Sequence, residues 1–386
     1  MGWRKPCLTM LLSISAIAIL RSSTSTWSRA RLFSRSPRIF RSFLVSSSLL
    51  KTTPSVKFPE KYSGSRNLKP YERQVSPNQG AREAFFILNA SDESVSHLHG
   101  QGFVDRYYEL SREKGSFLCV GVDPVTADMR DRYVIPPKLT KRYGVVEGTK
   151  KFCLDVIEAV APYTPIIKPN AQFIVYPFSF DDLREMVDDI HEGGCLALLD
   201  IKISDIGTTN AAGLHWIAEA GFDAVTFNPF PGYENGSDAV YRWAADHDKG
   251  VFALCRMSNP GAHDYMSQKV GGEALYLKLA RDAYGHGCNG FVVGCTASSE
   301  LEEIRSIIGE ERLILSPGLG PQGGDPETAL KYGANSDGEG LLVSSSRSID
   351  FAYEAMGWSG ERYAEAAAFQ AEKKRDELNE IRDRVF

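Results

Sequence analysis

Eight short apolar runs, spaced along residues 117–344, constrain this chain more than any other feature of its sequence. They are FLCVGV (117–122), PIIK (165–168), CLALLDI (195–201), AVTFN (224–228), VFALC (251–255), GFVVG (290–294), LILS (313–316) and GLLVS (340–344). The runs are continuously apolar rather than alternating. A strand with one wet face alternates, whereas a strand covered on both faces does not. Parallel strands need crossovers long enough to hold a helix. The intervals supply them, with amphipathic segments such as KKFCLDVIEAVAPY, FDDLREMVDDIHEGG, NAAGLHWIAEAG and SELEEIRSIIGEE, each ending near Gly or Pro. Eight βα units over roughly 250 residues predict an α/β fold of the (β/α)8 TIM-barrel type. A doubly wound open sheet is the competing architecture.

Charge divides the chain unevenly. Of 386 residues, 44 are Lys or Arg and 49 are Asp or Glu, a formal net charge of −5. Residues 1–59 carry ten of the basic residues and no acid, so the remainder holds 34 basic against 49 acidic residues, a net −15. That acidity excludes a general nucleic-acid binder, which needs a basic face. Arg4 and Lys5 precede an apolar stretch, Cys7–Leu20, which is the length of a signal h-region and too short for a stable membrane span. A Ser- and Arg-rich, acid-free segment follows it, as in transit peptides. Residues 1–50 are therefore expected to be a disordered leader or organelle address, which leaves the location cytoplasmic or organellar. Residues 51–96 are expected to be linker, and residues 97–386 the barrel domain. The seven Cys are odd in number, form no C-x-x-C pair and mostly lie in apolar runs, which argues against disulfides or zinc. His97 and His99 read better as a solvated turn than as metal ligands.

The polar residues fall where a barrel enzyme needs them, at the C-terminal ends of strands. Asp123 follows the first run, Lys168 and Asn170 the second, Asp200 and Lys202 the third. Asn228, Ser258, Thr296, Pro317 and Arg347 follow later ones. The third run leads into LLDIKISDIGTTN. Asp200 and Lys202 are two apart and so share one side of a regular strand. Asp205 follows in the turn, and Thr209 is placed to cap the next helix. Two acids and two lysines at adjacent strand ends form an alternating network. An ion-pair cluster that merely closes the rim is the plainer reading. Buried pairs give little net stability, however, and such clusters tune pKa values at active sites.

CVGVDP, IIKPNAQF, LLDIKISDIGTTN, SPGLGPQGGD and SSSRSI, in this order from about residue 100 to 355, together resemble the orotidine 5′-phosphate decarboxylase family, in its divergent type 2-like branch. The resemblance implies removal of CO₂ from C6 of orotidine 5′-phosphate to give UMP, without cofactor or metal. It implies that Lys202 protonates C6, that Asp200 sits beside the departing carboxylate, and that Lys168 bridges Asp200 and the ribose. Asp205, Ile206 and Thr209 would reach into a neighbouring subunit's site, in a homodimer with shared active sites. Asp123 would hold a ribose hydroxyl, with Asn170 in the same pocket. Gln322 and Arg347 would grip the phosphate with the backbone N–H groups of Gly323 and Gly324. Ser258 and Pro317 would contact the base region. Met257 stands where relatives carry a second hydroxyl residue. The segment RMSNPGAHDYMSQKVGG would form a mobile lid with Gly261, Gly271 and Gly272 as hinges.

Rival readings remain at this level. The string Gly318-Leu-Gly-Pro-Gln-Gly323 satisfies G-x-G-x-x-G, but seven strands precede it, against a dinucleotide site. A metal-dependent sugar-phosphate decarboxylase or synthase would need an acidic ligand where Lys168 and Asn170 stand. A Schiff-base aldolase using Lys168 or Lys202 and a catalytically inactive barrel scaffold complete the alternatives.

Overall fold

The computed structural model describes residues 101–294, 298–318 and 324–386. The expectations for residues 1–50 and 51–96, and those for Thr296, Gln322 and Gly323, lie outside the described residues. The described chain opens with α1 (Gln101–Glu113), then β1 (Leu118–Val122), α2 (Pro137–Tyr143), α3 (Val145–Val160), β2 (Ile166–Pro169), α4 (Ala171–Ile174) and α5 (Phe180–Glu192). Next come β3 (Leu196–Ile203), α6 (Gly207–Glu219), β4 (Ala224–Phe227), α7 (Asp238–His247), β5 (Gly250–Arg256), β6 (Lys269–Val270) and β7 (Glu273–Ala274). It continues with α8 (Leu275–Gly285), β8 (Gly290–Val293), α9 (Ser298–Ile308), β9 (Leu313–Pro317) and α10 (Pro326–Gly333). The last elements are β10 (Leu341–Ser345), α11 (Arg347–Asp350), α12 (Ala352–Ala355) and α13 (Tyr363–Val385).

All eight predicted runs become the strands of one closed barrel, in the order β1-β10-β9-β8-β5-β4-β3-β2, and every neighbouring pair is parallel. Closure removes both sheet edges and decides against the open sheet. The continuous apolar runs are explained by two separate burials. Outward residues such as Val120, Ile167, Ala197 and Val225 meet the helices. Inward residues such as Ile166, Leu198, Phe252, Leu315 and Leu342 fill the interior.

The interior needs a floor, and α1 supplies it. Phe103, Val104 and Tyr107 join the inward cluster. The Phe103 ring meets Phe252 edge to face, 6.0 Å between centroids and 88° between planes. Burying these side chains excludes water from the N-terminal end of the barrel, so only the opposite mouth stays open. On the outside, α13 packs along α3, and Phe152 stacks against Phe351 and Tyr363 at 5.6 and 5.1 Å. α1 lies outside the repeating βα pattern, whereas α13 closes the outer ring of helices between α10 and α3.

The segment after β5 is folded rather than extended. A short turn over Pro260–Asp264 leads to the β6–β7 hairpin. Gly271 and Gly272 form its two-residue turn with φ of 66° and 92°, a combination that only glycine adopts without strain. Arg256, buried at the end of β5, reaches back to Glu300 at 3.3 Å and to the His263 ring at 3.0 Å.

Candidate active site

The open mouth of the barrel holds two adjoining chambers. The first, about 300 Å³, is lined by Asp123, Arg130, Lys168, Asn170, Asp200, Pro317, Arg347 and the serines of 344–346 and 348. The second, about 190 Å³, is lined by Lys202, Thr226, Leu254, Met257, Ser258, Val292 and Leu315. Lys168, Asp200 and Pro317 border both. One end of the composite cavity is thus polar and cationic, the other largely apolar, with the charge cluster at the junction.

Asp200 is the hub of that cluster. Its Oδ2 accepts from Lys168 Nζ at 3.0 Å, and its Oδ1 accepts from Lys202 Nζ at 2.6 Å and from Thr226 Oγ1 at 2.9 Å. The Asp200 and Lys168 side chains are only 13% and 7% exposed, whereas Lys202 is 39% exposed at the rim. Burial alone would raise the Asp200 carboxyl. The charges of Lys168 and Lys202 and the hydrogen bonds from both outweigh it and hold Asp200 below the usual carboxylate range. Lys168 behaves reciprocally: burial disfavours its charge, but Asp200 and then Asp123 more than restore it, and it is held above the usual lysine range. Gly121 makes the approach feasible. A Cβ there would collide with Ser346 Oγ and lie 3.5 Å from Lys168 Nζ.

Regular alternation does not bring Lys202 to Asp200, contrary to the strand-periodicity expectation. The β3–β4 register breaks between Leu199 and Ile203, and Lys202 takes a left-handed φ of 54°. A bulge of this kind re-aims a side chain at the end of a strand. For a non-glycine residue the conformation costs about 1–2 kcal/mol. Thr226 holds it in place, because its hydroxyl accepts the Lys202 backbone N–H at 2.9 Å while donating to Asp200.

The other expected residues divide into three groups. Asp123, Asn170, Ser258, Pro317 and Arg347 all line the composite cavity. Asp205, Ile206 and Thr209 do not line it. They are exposed at the start of α6, with Ile206 62% exposed. Thr209 is not the helix cap either. Ile206 occupies that position without a side-chain cap, and Asp205 Oδ1 accepts the Ile206 N–H at 2.7 Å, so the helix begins before Thr209 is reached. Gly324 lines a separate pocket beneath α13, beside Lys374 and Leu378, rather than either chamber.

Two participants escaped the sequence reading. Thr226 looked like an ordinary β-branched strand residue. Arg130 sits in the β1–α2 connection, away from any strand end, yet its guanidinium lines the first chamber and stacks 5.3 Å above Phe351. No sequence signal separates it from the neighbouring Arg132. Among the described residues no three His, Cys, Asp or Glu side chains gather as a metal-ligating set. The five described cysteines are buried and free.

Residues 116–354 match the family model described as "Orotidine 5′-phosphate decarboxylase / HUMPS family". The chain belongs to this family. A curated relative named orotidine 5′-phosphate decarboxylase, from Azoarcus sp. (strain BH72), is 36% identical over 278 residues, covering 70% of this chain and 96% of the relative. Another of that name, from Dechloromonas aromatica (strain RCB), is 35% identical over 284 residues, covering 72% and 98%. Among solved structures, Leishmania donovani OMP decarboxylase aligns with a TM-score of 0.57 and 26% identity, covering 72% of this chain and 98% of its own. The alignments span nearly the full length of both curated relatives.

Proposed function

We propose that the two chambers hold a single molecule of orotidine 5′-phosphate, with its pyrimidine in the apolar chamber, its reacting carbon at the Asp200–Lys202 pair and its phosphate toward Arg347. The chain is a carboxy-lyase that converts this substrate to UMP in pyrimidine nucleotide synthesis. The observation that carries the placement is the polarity gradient of the cavity with the charge cluster at its junction. In this reading the C6–carboxylate bond breaks, CO₂ leaves and the electron pair stays on C6. The ammonium of Lys202 stabilises that pair and donates the proton that becomes the C6 hydrogen of UMP. Because Lys202 is 39% exposed, water can return its proton after each turnover. Asp200 orients Lys202 and places negative charge near the carboxylate that departs, so their repulsion ends as CO₂ forms. Lys168 and Asp123 face the ribose, Asn170 lies beside them, and Arg347 supplies a fork of donors to the phosphate. Gln322 and Gly323 are proposed to contact the phosphate, and Gly324, which lines the pocket beneath α13, is not. Ser258 offers one polar contact to the base, and Pro317 separates the chambers.

The test is an absorbance assay for loss of orotidine 5′-phosphate. Lys202→Ala should lower kcat by at least about 10⁴-fold, since it removes both the proton donor and the charge. UMP should still bind measurably. Near wild-type turnover in that variant would end the assigned mechanism. Turnover in the presence of chelator should match turnover without it, whereas dependence on added magnesium would favour the metal-dependent branch.

The same reading makes the enzyme a homodimer with shared sites. Ile206, Phe230 and Trp216 expose large apolar surface on or near α6, at 62%, 73% and 60%. Exposed apolar side chains of this size suit a partner surface. Asp205 and Thr209 are exposed at the start of α6. Mixing inactive Asp200→Ala and Asp205→Ala proteins should restore about a quarter of wild-type activity, since half of random dimers carry one intact site. No recovery from verified hybrids would remove the shared-site reading. Residues 1–50 are proposed as an organelle address, and a fluorescent reporter carrying them that stays diffuse in the cytosol would dismiss it.

A further inference from the structure

Asp350 is the last residue of α11, the short helix that begins with Arg347. Its side chain is fully buried. Its Oδ2 accepts the backbone N–H of Asp123 at 3.0 Å. Its Oδ1 is also buried and has no hydrogen-bond partner among the described residues. The same holds for Oδ1 of Asp123, the acid that lines the first chamber. Buried oxygens of two neighbouring acids cannot both stay ionised and unsatisfied without a large desolvation and repulsion cost. A proton on the fully buried Asp350 removes one of the two charges.

The surroundings of Asp350 fit a neutral acid. Burial, and then the adjacent Asp123, push the Asp350 carboxyl well above the usual carboxylate range. Lys168 on β2 and Arg130 in the β1–α2 connection oppose this without reversing it. Cys153 of α3 lies near the same two acids, and burial pushes its thiol well above the usual range. Lys168 hydrogen-bonds to Asp200, so its charge is already shared with the reaction centre.

We propose that Asp350 is a positioning residue, a buried neutral carboxylic acid that accepts the Asp123 backbone N–H and thereby fixes Asp123 toward the ribose. This rests on the reading that Asp123 contacts the substrate ribose. It gives α11 a double task. Its first residue, Arg347, faces the phosphate, and its last ties down the ribose-facing acid one strand away. Ligand at one end of the helix thereby senses order at the other.

Three variants test the proposal. Asp350→Asn keeps an acceptor for the Asp123 N–H and cannot ionise. Its UMP affinity and kcat/KM should stay within about twofold of wild type, because that hydrogen bond is kept. Asp350→Ala removes the acceptor and should weaken UMP binding and raise KM about tenfold, with a smaller change in kcat. Infrared spectra at neutral pH should show the C=O stretch of a neutral carboxylic acid in wild type, lost in Asp350→Asn. Stability adds a third readout. The folded wild type keeps a proton that the unfolded chain releases above about pH 4, so its unfolding equilibrium should worsen by about tenfold per pH unit above that value. Asp350→Asn should lack this slope and be the more stable protein at neutral pH. Absence of the neutral-acid band in wild type, its persistence in Asp350→Asn, or equal damage from Asn and Ala would each overturn the proposal. If the Ala variant does not fold, the Asn variant and the infrared band decide. Asp123→Asn separates the two readings: unchanged UMP binding would remove the ribose contact, while the Asp350 band still reports the proton.

Discussion

Around Asp200 the charges of the cavity are paired, whereas the end proposed for the phosphate brings Arg130 and Arg347 into one chamber. Asp200 satisfies Lys168, Lys202 and Thr226 together, on the rigid ends of three adjacent strands. Arg130 and Arg347 share the other chamber with four serines, in a loop and a four-residue helix. Burial and then the charge of Arg347 pull the Arg130 guanidinium below the usual arginine range, which shows that the two feel each other. In the proposed reading a phosphate dianion relieves that repulsion, so binding energy is gained at this end. The reaction end needs the opposite arrangement. Fixed dipoles and charges must already stand where the carbanion will form, so that little reorganises during the chemical step. Binding at the remote phosphate can then be used to hold the substrate against a charged, ordered centre.

Breaking the paired end should have the larger structural cost. Asp200→Ala strands Lys168, 7% exposed, as a buried charge without its main partner. Breaking one side of a buried pair typically costs about 3–5 kcal/mol. Urea unfolding should show a loss of that order beside complete loss of turnover. Lys202→Ala, which removes the exposed partner, should cost stability far less. Equal losses from the two would mean that burial does not divide the cluster as described. The pH dependence has a definite sign. Because Asp200 is held below its unfolded value of 3.8, its contribution is complete above that value and is lost as pH falls below it. Asp200→Asn should flatten that part of the acid limb.

Breaking the gathered end should act on binding. Arg347→Ala should raise KM for orotidine 5′-phosphate by roughly 10- to 100-fold, the range of a lost charge-assisted hydrogen bond. It should leave the weaker binding of unphosphorylated uridine nearly unchanged, and it should not destabilise the fold, since no buried partner loses its counter-charge. Uridine binding weakened to the same degree would mean that Arg347 supports the whole cavity rather than the phosphate end.

The same contrast explains what could be read from sequence. Strand runs and strand-end polar residues share one periodic signal, so the barrel, Lys168, Asp200, Lys202 and Asp123 were all legible. The rest depends on three-dimensional closure. The aromatic plug Phe103 and Tyr107 lies on a helix before the repeat starts and gains meaning only once a barrel has an open floor. Arg130 reaches the phosphate chamber because its connection folds over Phe351, a contact that no local pattern encodes. Lys202 was found for an incomplete reason. Spacing put it beside Asp200, but a bulge and a left-handed backbone, invisible in a string of residues, deliver it. Asp350 follows the polar run SSSRSI, where an acid reads as a surface residue until its burial is seen.

Thr226 offers the smallest and finest test of the contrast, because it touches the paired end without carrying charge. Val has nearly the same shape and lacks the hydroxyl. Thr226→Val therefore removes the acceptor for the Lys202 backbone N–H and one donor to Asp200, while the β4 packing is retained. Leaving such groups unsatisfied costs about 1–3 kcal/mol, less where water can reach them. Lys202 is close enough to the rim for partial rescue by water, so the stability loss should lie near the lower bound. The loss in kcat should exceed it in significance: about tenfold, with KM almost unchanged, because the left-handed backbone that aims the ammonium is no longer pinned. A rise in KM with intact kcat would place Thr226 among the binding groups instead. It would also move the boundary between the two ends of the cavity one strand further from the phosphate.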